Sequence, residues 1–232
     1  MINRMAHRTS RVTPLNETEK KIVAVAAQAF LENGFSGTSL SMISKAAGIS
    51  KGNIAYYFHT KEDMLFVLVQ ELMSYHHDVI EEIKEREQDG MVAYAMEVMA
   101  QISLCEKDEV ARDLYSAAYN HHGILEFIKE WTAEKNYRLL GEFLPGWTEQ
   151  DFRMKENVAS FIELSAMAAP CDSRFTLEDK ITLVVDSLLK LYDICEEKRK
   201  DVIGKILEYD YENLGESIFY RFIENFYDSL KH

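Results

Sequence analysis

Residues 38–61 read TSLSMISKAAGISKGNIAYYFHTK, two short helices joined by a tight turn. Thr38 or Ser39 caps the first helix, whose Met42, Ile43 and Ala46 fall at helical spacing for burial. Ala47-Gly48-Ile49 forms the turn, and Gly48 can take the left-handed conformation that ends a helix at no Cβ cost. Ser50 caps the second helix, its hydroxyl accepting a backbone N–H that the first helical turn leaves unpaired. Lys51, Asn53, Tyr56 and Tyr57 fall on the outer side of that helix, while Ile54 and Phe58 point inward. Helix–turn–helix geometry lays such a second helix in the DNA major groove, with its N-terminal side chains at base edges. A cation, an amide, two phenols and a glycine that permits close backbone approach suit that task.

Extended to Leu65, this stretch is similar to the signature of the TetR family of bacterial transcriptional repressors, which reads approximately G-V-S-x-G-x-L-Y-x-Y-F-x-S-K-E-x-L. The resemblance continues upstream through Phe30, Gly34, Phe35, Thr38 and Ile43, covering about residues 17–66. One position departs: Ala55 stands where the family usually has Tyr, so any contact of that Tyr is missing or moves to Tyr56. The resemblance implies that Lys51, Gly52, Asn53 and Tyr56 face bases or groove walls. It also implies that Thr38, Tyr57, His59 and Lys61 contact phosphates and fix register, with Ser39 and Ser50 completing the DNA-binding set.

The charge distribution agrees. The 232 residues carry a formal net charge of −13, which taken alone argues against a nucleic-acid partner. Residues 1–61, however, hold eight Lys/Arg against three acids, a net +5, which leaves −18 for the remainder. A basic head on an acidic body can grip phosphates locally while the body stays off the duplex. Cys105, Cys171 and Cys195 are odd in number and widely spaced, and read as free thiols of a reducing compartment. There is no signal-peptide-like run and no apolar stretch approaching the roughly 18 residues of a membrane span. The expectation is a cytoplasmic protein without membrane association.

The expected fold is all-α: a three-helix DNA-binding head followed by a larger helical ligand-binding and dimerisation domain. Residues 1–15, with Arg4, Arg8 and Arg11, read as a flexible basic arm, and residues 16–61 as the helix–turn–helix domain. Asn16-x-x-Glu19 starts helix 1, Gly34 ends it, and Thr60-x-x-Asp63 caps a helix running to about Glu87. Residues 62–89 are that linking helix, and 90–232 the helical body, with helices near 91–105, 108–121, 123–143, 148–169, 176–195, 197–209 and 212–230. No stretch shows sustained period-2 alternation, so no sheet is expected.

TetR-like proteins dimerise through a pair of late helices, and helices 148–169 and 176–195 carry broad apolar faces. The resemblance implies an interface of Val158, Phe161, Ile162, Ser165, Ile181, Val184, Val185, Leu188 and Tyr192, although the same faces could be intrachain core. A twofold dimer reading two half-sites also serves specificity better than a lone recognition helix. The family has an inducer pocket too. Tyr94, Met99, Tyr115, Tyr119, Phe127, Trp131 and Tyr137 are candidates to line it, each of them equally explicable as core. The acidic balance favours a cationic lipophilic inducer. His76-His77 and His121-His122 are adjacent pairs whose side chains point about 100° apart, so they read as partly exposed residues near helix ends. No metal or cofactor is expected.

The function expected is a dimeric regulator, a repressor released from a palindromic operator by a small-molecule inducer. The alternatives are a helical interaction protein that no longer binds an operator, or an enzyme using the acidic body. Against an enzyme, the chain has no Gly-rich phosphate loop, no G-x-S-x-G, no H-E-x-x-H and no C-x-x-C.

Overall fold

Local capping chemistry sets the element boundaries. Asn16 Oδ1 accepts the N–H groups of Thr18 and Glu19 at 3.0 Å while the Asn16 N–H donates to Glu19 Oε2 at 2.9 Å, a reciprocal box that opens α1 (Glu17–Gly37). Reciprocal boxes of the same kind, Thr60 with Asp63, Thr148 with Asp151 and Thr176 with Asp179, open α4 (Lys61–Glu87), α8 (Glu149–Ala168) and α9 (Leu177–Leu191). The computed structural model describes residues 15–230. The remaining described helices are α2 (Leu40–Ala47), α3 (Lys51–Tyr57), α5 (Gly90–Lys107), α6 (Glu109–Asn120), α7 (His122–Leu140), α10 (Glu196–Ile206) and α11 (Tyr211–Ser229). Among the described residues there is no strand, only an isolated bridge between Asp172 and Phe175. The arm expected at 1–15 lies, apart from Leu15, outside them.

Three helices, α7, α9 and α10, stop three or four residues short of expectation, α10 at Ile206 rather than Tyr209. α9 ends at Leu191 rather than Cys195, because Asp193 takes a left-handed φ of 58° and turns the chain away. α7 ends at Leu140, and residues 141–143 tighten into a 3₁₀ turn. At Gly34, φ of 73° breaks the α1 ladder, and Phe35 folds back onto Phe30 with ring centroids 5.1 Å apart. In α2 the inward face is Ile43 and Ala47, four residues apart. Met42 and Ala46, expected in the core, are exposed.

α5 is the axis of the body. Its sequence is apolar on every side, and 15 of its 18 residues are buried, as such a composition requires. It packs against α4, α6, α7, α8, α9, α10 and α11. Close approach is bought with glycine at two crossings: a Cβ on Gly90 would lie 2.0 Å from the Leu139 carbonyl oxygen, and one on Gly215 would lie 2.1 Å from that of Ala100. Backbone cannot retreat as a flexible side chain can. Gly90→Ala is therefore expected to destabilise the protein by about 1–3 kcal/mol, read as a lower thermal midpoint, while Gly204→Ala, where a Cβ meets nothing within 4 Å, is expected to leave it unchanged or raise it slightly.

Candidate nucleic-acid interface and an enclosed cavity

The turn of the head is built as its residues dictate. Ser39 Oγ caps α2 at the Met42 N–H, Gly48 sits at φ 65° in the left-handed region, and Ser50 Oγ accepts the Asn53 N–H at 3.3 Å. Ile54 and Phe58 anchor α3 in the core, which leaves Ser50, Lys51, Gly52, Asn53 and Tyr56 facing solvent along one exposed ridge with Ser39 and His59 beside it. Tyr56 is 80% exposed and meets the half-buried Tyr57 edge-on at 5.1 Å. Ala55, where the resemblance expects Tyr, is also exposed.

Two residues expected at phosphates do other work. Thr38 is buried, its Oγ1 lying 2.9 Å from the Ala29 carbonyl oxygen and 2.7 Å from that of Gly34. Lys61 is half-buried: its Nζ donates to the carbonyls of Phe35 at 2.6 Å and Thr38 at 2.9 Å and sits 4.1 Å above the Phe35 ring. Both therefore close the break after Gly34, where carbonyls left over from α1 need donors. The same break is clasped from the body, because Asp113 of α6 accepts from the Ser36 N–H at 2.8 Å and from its hydroxyl.

Between α1, α4, α5, α6, α7, α8 and α11 runs a narrow cavity of about 70 Å³. Its walls are apolar, with Phe30, Leu65, Leu68, Leu72, Met73 and Phe222 prominent. Of the residues expected to line a pocket, Tyr94, Tyr115 and Tyr119 do so. Met99 is packed into core away from it. Phe127 stacks edge-on against Phe66 at 5.2 Å, Trp131 against His77 at 6.0 Å, and Tyr137 is 42% exposed against Phe152.

Sequence reasoning missed the cavity's charged lining: His76, Glu97, Lys135 and Glu163, all buried. Glu97 ion-pairs with Lys135, and His76 Nδ1 lies 3.6 Å from Glu97 Oε1. Burial opposes ionisation of Glu97, but Lys135 and His76 override it and hold the carboxyl at about 2. Glu163 goes the other way: burial, then the nearby Glu156 carboxyl, push it up to about 8, although Tyr119 Oη donates to it at 3.0 Å. The Tyr94 and Tyr115 hydroxyls and His76 Nδ1 have no hydrogen-bond partner among the described residues. His76 is thus neither exposed nor near a helix end, as its sequence position suggested. Among the described residues no group of three or more His, Cys, Asp or Glu is placed to hold a metal ion. Burial pushes the Cys105 thiol up to about 12, which makes it a poor thiolate for redox sensing.

The expected interface divides into two. Ile181, Val184, Val185, Leu188 and Tyr192 are buried within the chain, because α9 turns this stripe onto α5 and α8. Exposed instead are Val158 (51%), Phe161 (55%) and Ser165 on α8, with Ile162 half-buried, together with Met154 and, on α9, Leu183. These make an apolar surface on the outer side of the α8–α9 pair.

Comparison with known proteins identifies the head. Residues 22–68 match the model for "bacterial regulatory proteins, tetR family". The HTH-type transcriptional regulator RutR of Escherichia coli K12 is 33% identical over 63 residues, 27% of this chain and 30% of that protein. The fatty acid metabolism regulator protein of Bacillus subtilis 168 is 39% identical over 67 residues, 28% of this chain and 34% of its own. The matched stretch thus spans about a third of each of these relatives. The fold as a whole resembles that of RolR in complex with resorcinol, with a TM-score of 0.64 at 12% identity over 81% of this chain and 93% of that one. It also resembles Thermus thermophilus FadR in complex with lauroyl-CoA, with a TM-score of 0.57 at 17% identity over 77% and 96%.

Two outcomes follow from the geometry. Lys61→Ala is expected to lower stability by about 1–3 kcal/mol in chemical denaturation, since two carbonyls lose their donor; an unchanged midpoint would show that the ammonium is dispensable there. The folded pKa of Glu163 lies above its ordinary 4.5, so the folded chain binds the extra proton, and stability falls as pH rises from about 4.5 to about 8. Glu163→Gln is expected to match the parent near pH 5 and to exceed it by roughly 2–4 kcal/mol near pH 8.

Proposed function

Since this chain belongs to the tetR family of bacterial regulatory proteins, we propose that it is a dimeric regulator of transcription. On this reading it represses by binding a palindromic operator and is released when a small molecule enters the cavity. The observation that carries this reading is the exposed ridge of α3, with Lys51, Asn53 and Tyr56 projecting from a helix anchored behind by Ile54. In role terms, Lys51, Gly52, Asn53 and Tyr56 read base edges, while Ser39, Ser50, Tyr57 and His59 set register on phosphates. The net +5 of residues 1–61 supplies the non-specific grip, and the acidic body stays clear of the duplex.

A second copy of the chain is the partner that the α8–α9 surface suits. Val158, Phe161, Met154 and Leu183 form a face that a twofold axis can mirror onto itself, placing two recognition helices on one face of the duplex. The cavity supports the ligand-responsive part, being mostly apolar with a few convergent polar groups. Response requires the ligand to bind the conformation that does not hold DNA more tightly. α6 supports a route between the two sites, because it carries Tyr115 and Tyr119 in the cavity wall and Asp113 on Ser36 of the head.

The test is fluorescence anisotropy of the full chain on inverted repeats taken from the DNA upstream of its own coding sequence. A specific complex is expected, with discrimination against mutated half-sites reduced by about 1–3 kcal/mol in Asn53→Ala. The double variant Phe161→Glu, Leu183→Glu is expected to sediment as a monomer and to lose most operator affinity. Salt-insensitive binding, or equal affinity for every duplex, would reject the reading.

A further inference from the structure

Resting on the reading of the cavity as a ligand site, we propose that its ligand is an amphipathic organic cation, whose positive charge sits against Glu163 beside the unpartnered hydroxyls of Tyr94 and Tyr115. The polar end of the cavity is short of positive charge. Two buried carboxyl groups line it, Glu97 on α5 and Glu163 on α8, with a third buried carboxyl, Glu156 on α8, outside the lining, against one ammonium, Lys135 on α7. Lys135 is taken by Glu97, which also faces His76 of α4. Glu156 is not part of the lining and accepts from Tyr192 Oη, just past the end of α9, and, at 3.0 Å, from Asn136 Nδ2 of α7. Glu163 faces the cavity, and the hydrogen bond it receives is from Tyr119 of α6, a neutral donor.

A buried carboxyl with no cation of its own keeps a proton, and that is its state here, held up to about 8 by burial and by Glu156. The proton marks the place where the site accepts a positive charge. A ligand cation that replaces it forms an ion pair in a water-poor setting, and the displaced proton leaves to solvent. Near neutral pH the displacement costs the ligand only about tenfold in affinity, since one unit separates the pH from the group. An anionic head would meet Glu97 and Glu163 with the lysine already engaged. A neutral head could bond the two free phenols but would leave the charge deficit untouched.

The remaining walls fit the same ligand. Tyr94, Tyr115 and Tyr119 line the cavity with aromatic rings, a residue type that suits a cation, and α1, α4 and α11 contribute apolar side chains that suit a hydrocarbon tail. The two free hydroxyls are independent signs of an occupant. Tyr94 is 1% exposed and Tyr115 9%, and a buried hydroxyl without a partner is costly until something bonds it.

The experiment uses the full chain and three probes with one tail and different heads: decyltrimethylammonium, decyldimethylphosphine oxide and decyl sulfate. Each is titrated calorimetrically in phosphate and in Tris, buffers whose ionisation heats differ, so that proton exchange is counted with affinity. The expected result is that the ammonium binds at least about tenfold more tightly than the other two and expels close to one proton. Its affinity should rise close to tenfold from pH 6 to pH 7 and level off above about pH 8. In Glu163→Gln the proton count should fall to zero and the ammonium lose its advantage; should that variant not fold, the pH profile of the parent decides. Equal or tighter binding of the phosphine oxide or the sulfate, or ammonium binding without proton release, would overturn the inference while leaving the ligand cavity standing. Binding of none of the three would overturn both.

Discussion

A carboxylate in the middle of a helix with no face toward water has to be answered by its neighbours. Glu97 on α5 is that group, and much of the body is arranged around it. α7 brings Lys135 and α4 brings His76, so the helix that links head and body is tied to the helix at the body's centre through one charge. Replacing such a pair by hydrocarbon often stabilises a protein, so its presence is weak evidence for a stabilising role. What it creates here is asymmetry: the cavity has one end lined by charged side chains and a long apolar remainder.

The head was almost fully readable from the residues, because short-range chemistry controls it. Asn16 with Glu19, Thr60 with Asp63, the left-handed Gly48 and the Ser50 cap each act within three or four residues, and all are found as their spacing implies. At Thr38 and Lys61, expected at phosphates, a long-range demand intervened: the broken end of α1 needed donors, and these two side chains were close enough to supply them. A lysine at a family signature position says that a cation is wanted, without saying whether its acceptors are phosphates or the protein's own carbonyls.

The body was readable only as helices. In α9, Ile181, Val185, Leu188 and Tyr192 form an apolar stripe, but Leu183 lies on the opposite side and is apolar too, so periodicity could not say which face meets α5 and which is left outside. The cavity's charged end did leave a trace. Glu97 is the one charged residue in the mostly apolar run from Met91 to Cys105, and Glu163 stands between Ile162 and Leu164 in a stretch ending in small residues. A charge at a position where the pattern calls for hydrocarbon is the informative exception.

On the proposed function, the clasp between Asp113 and Ser36 sets the form of the response. Asp113 and Tyr119 stand six residues apart on α6, about 9 Å along a stiff rod, so a roll of that rod at the cavity reaches the head with little lost to bending. Hydrogen bonds weaken steeply with a few tenths of an ångström and a few tens of degrees. A latch of that kind is held or dropped, with little between, so under the proposed ligand response the junction would behave more as a trip-catch than as a dial.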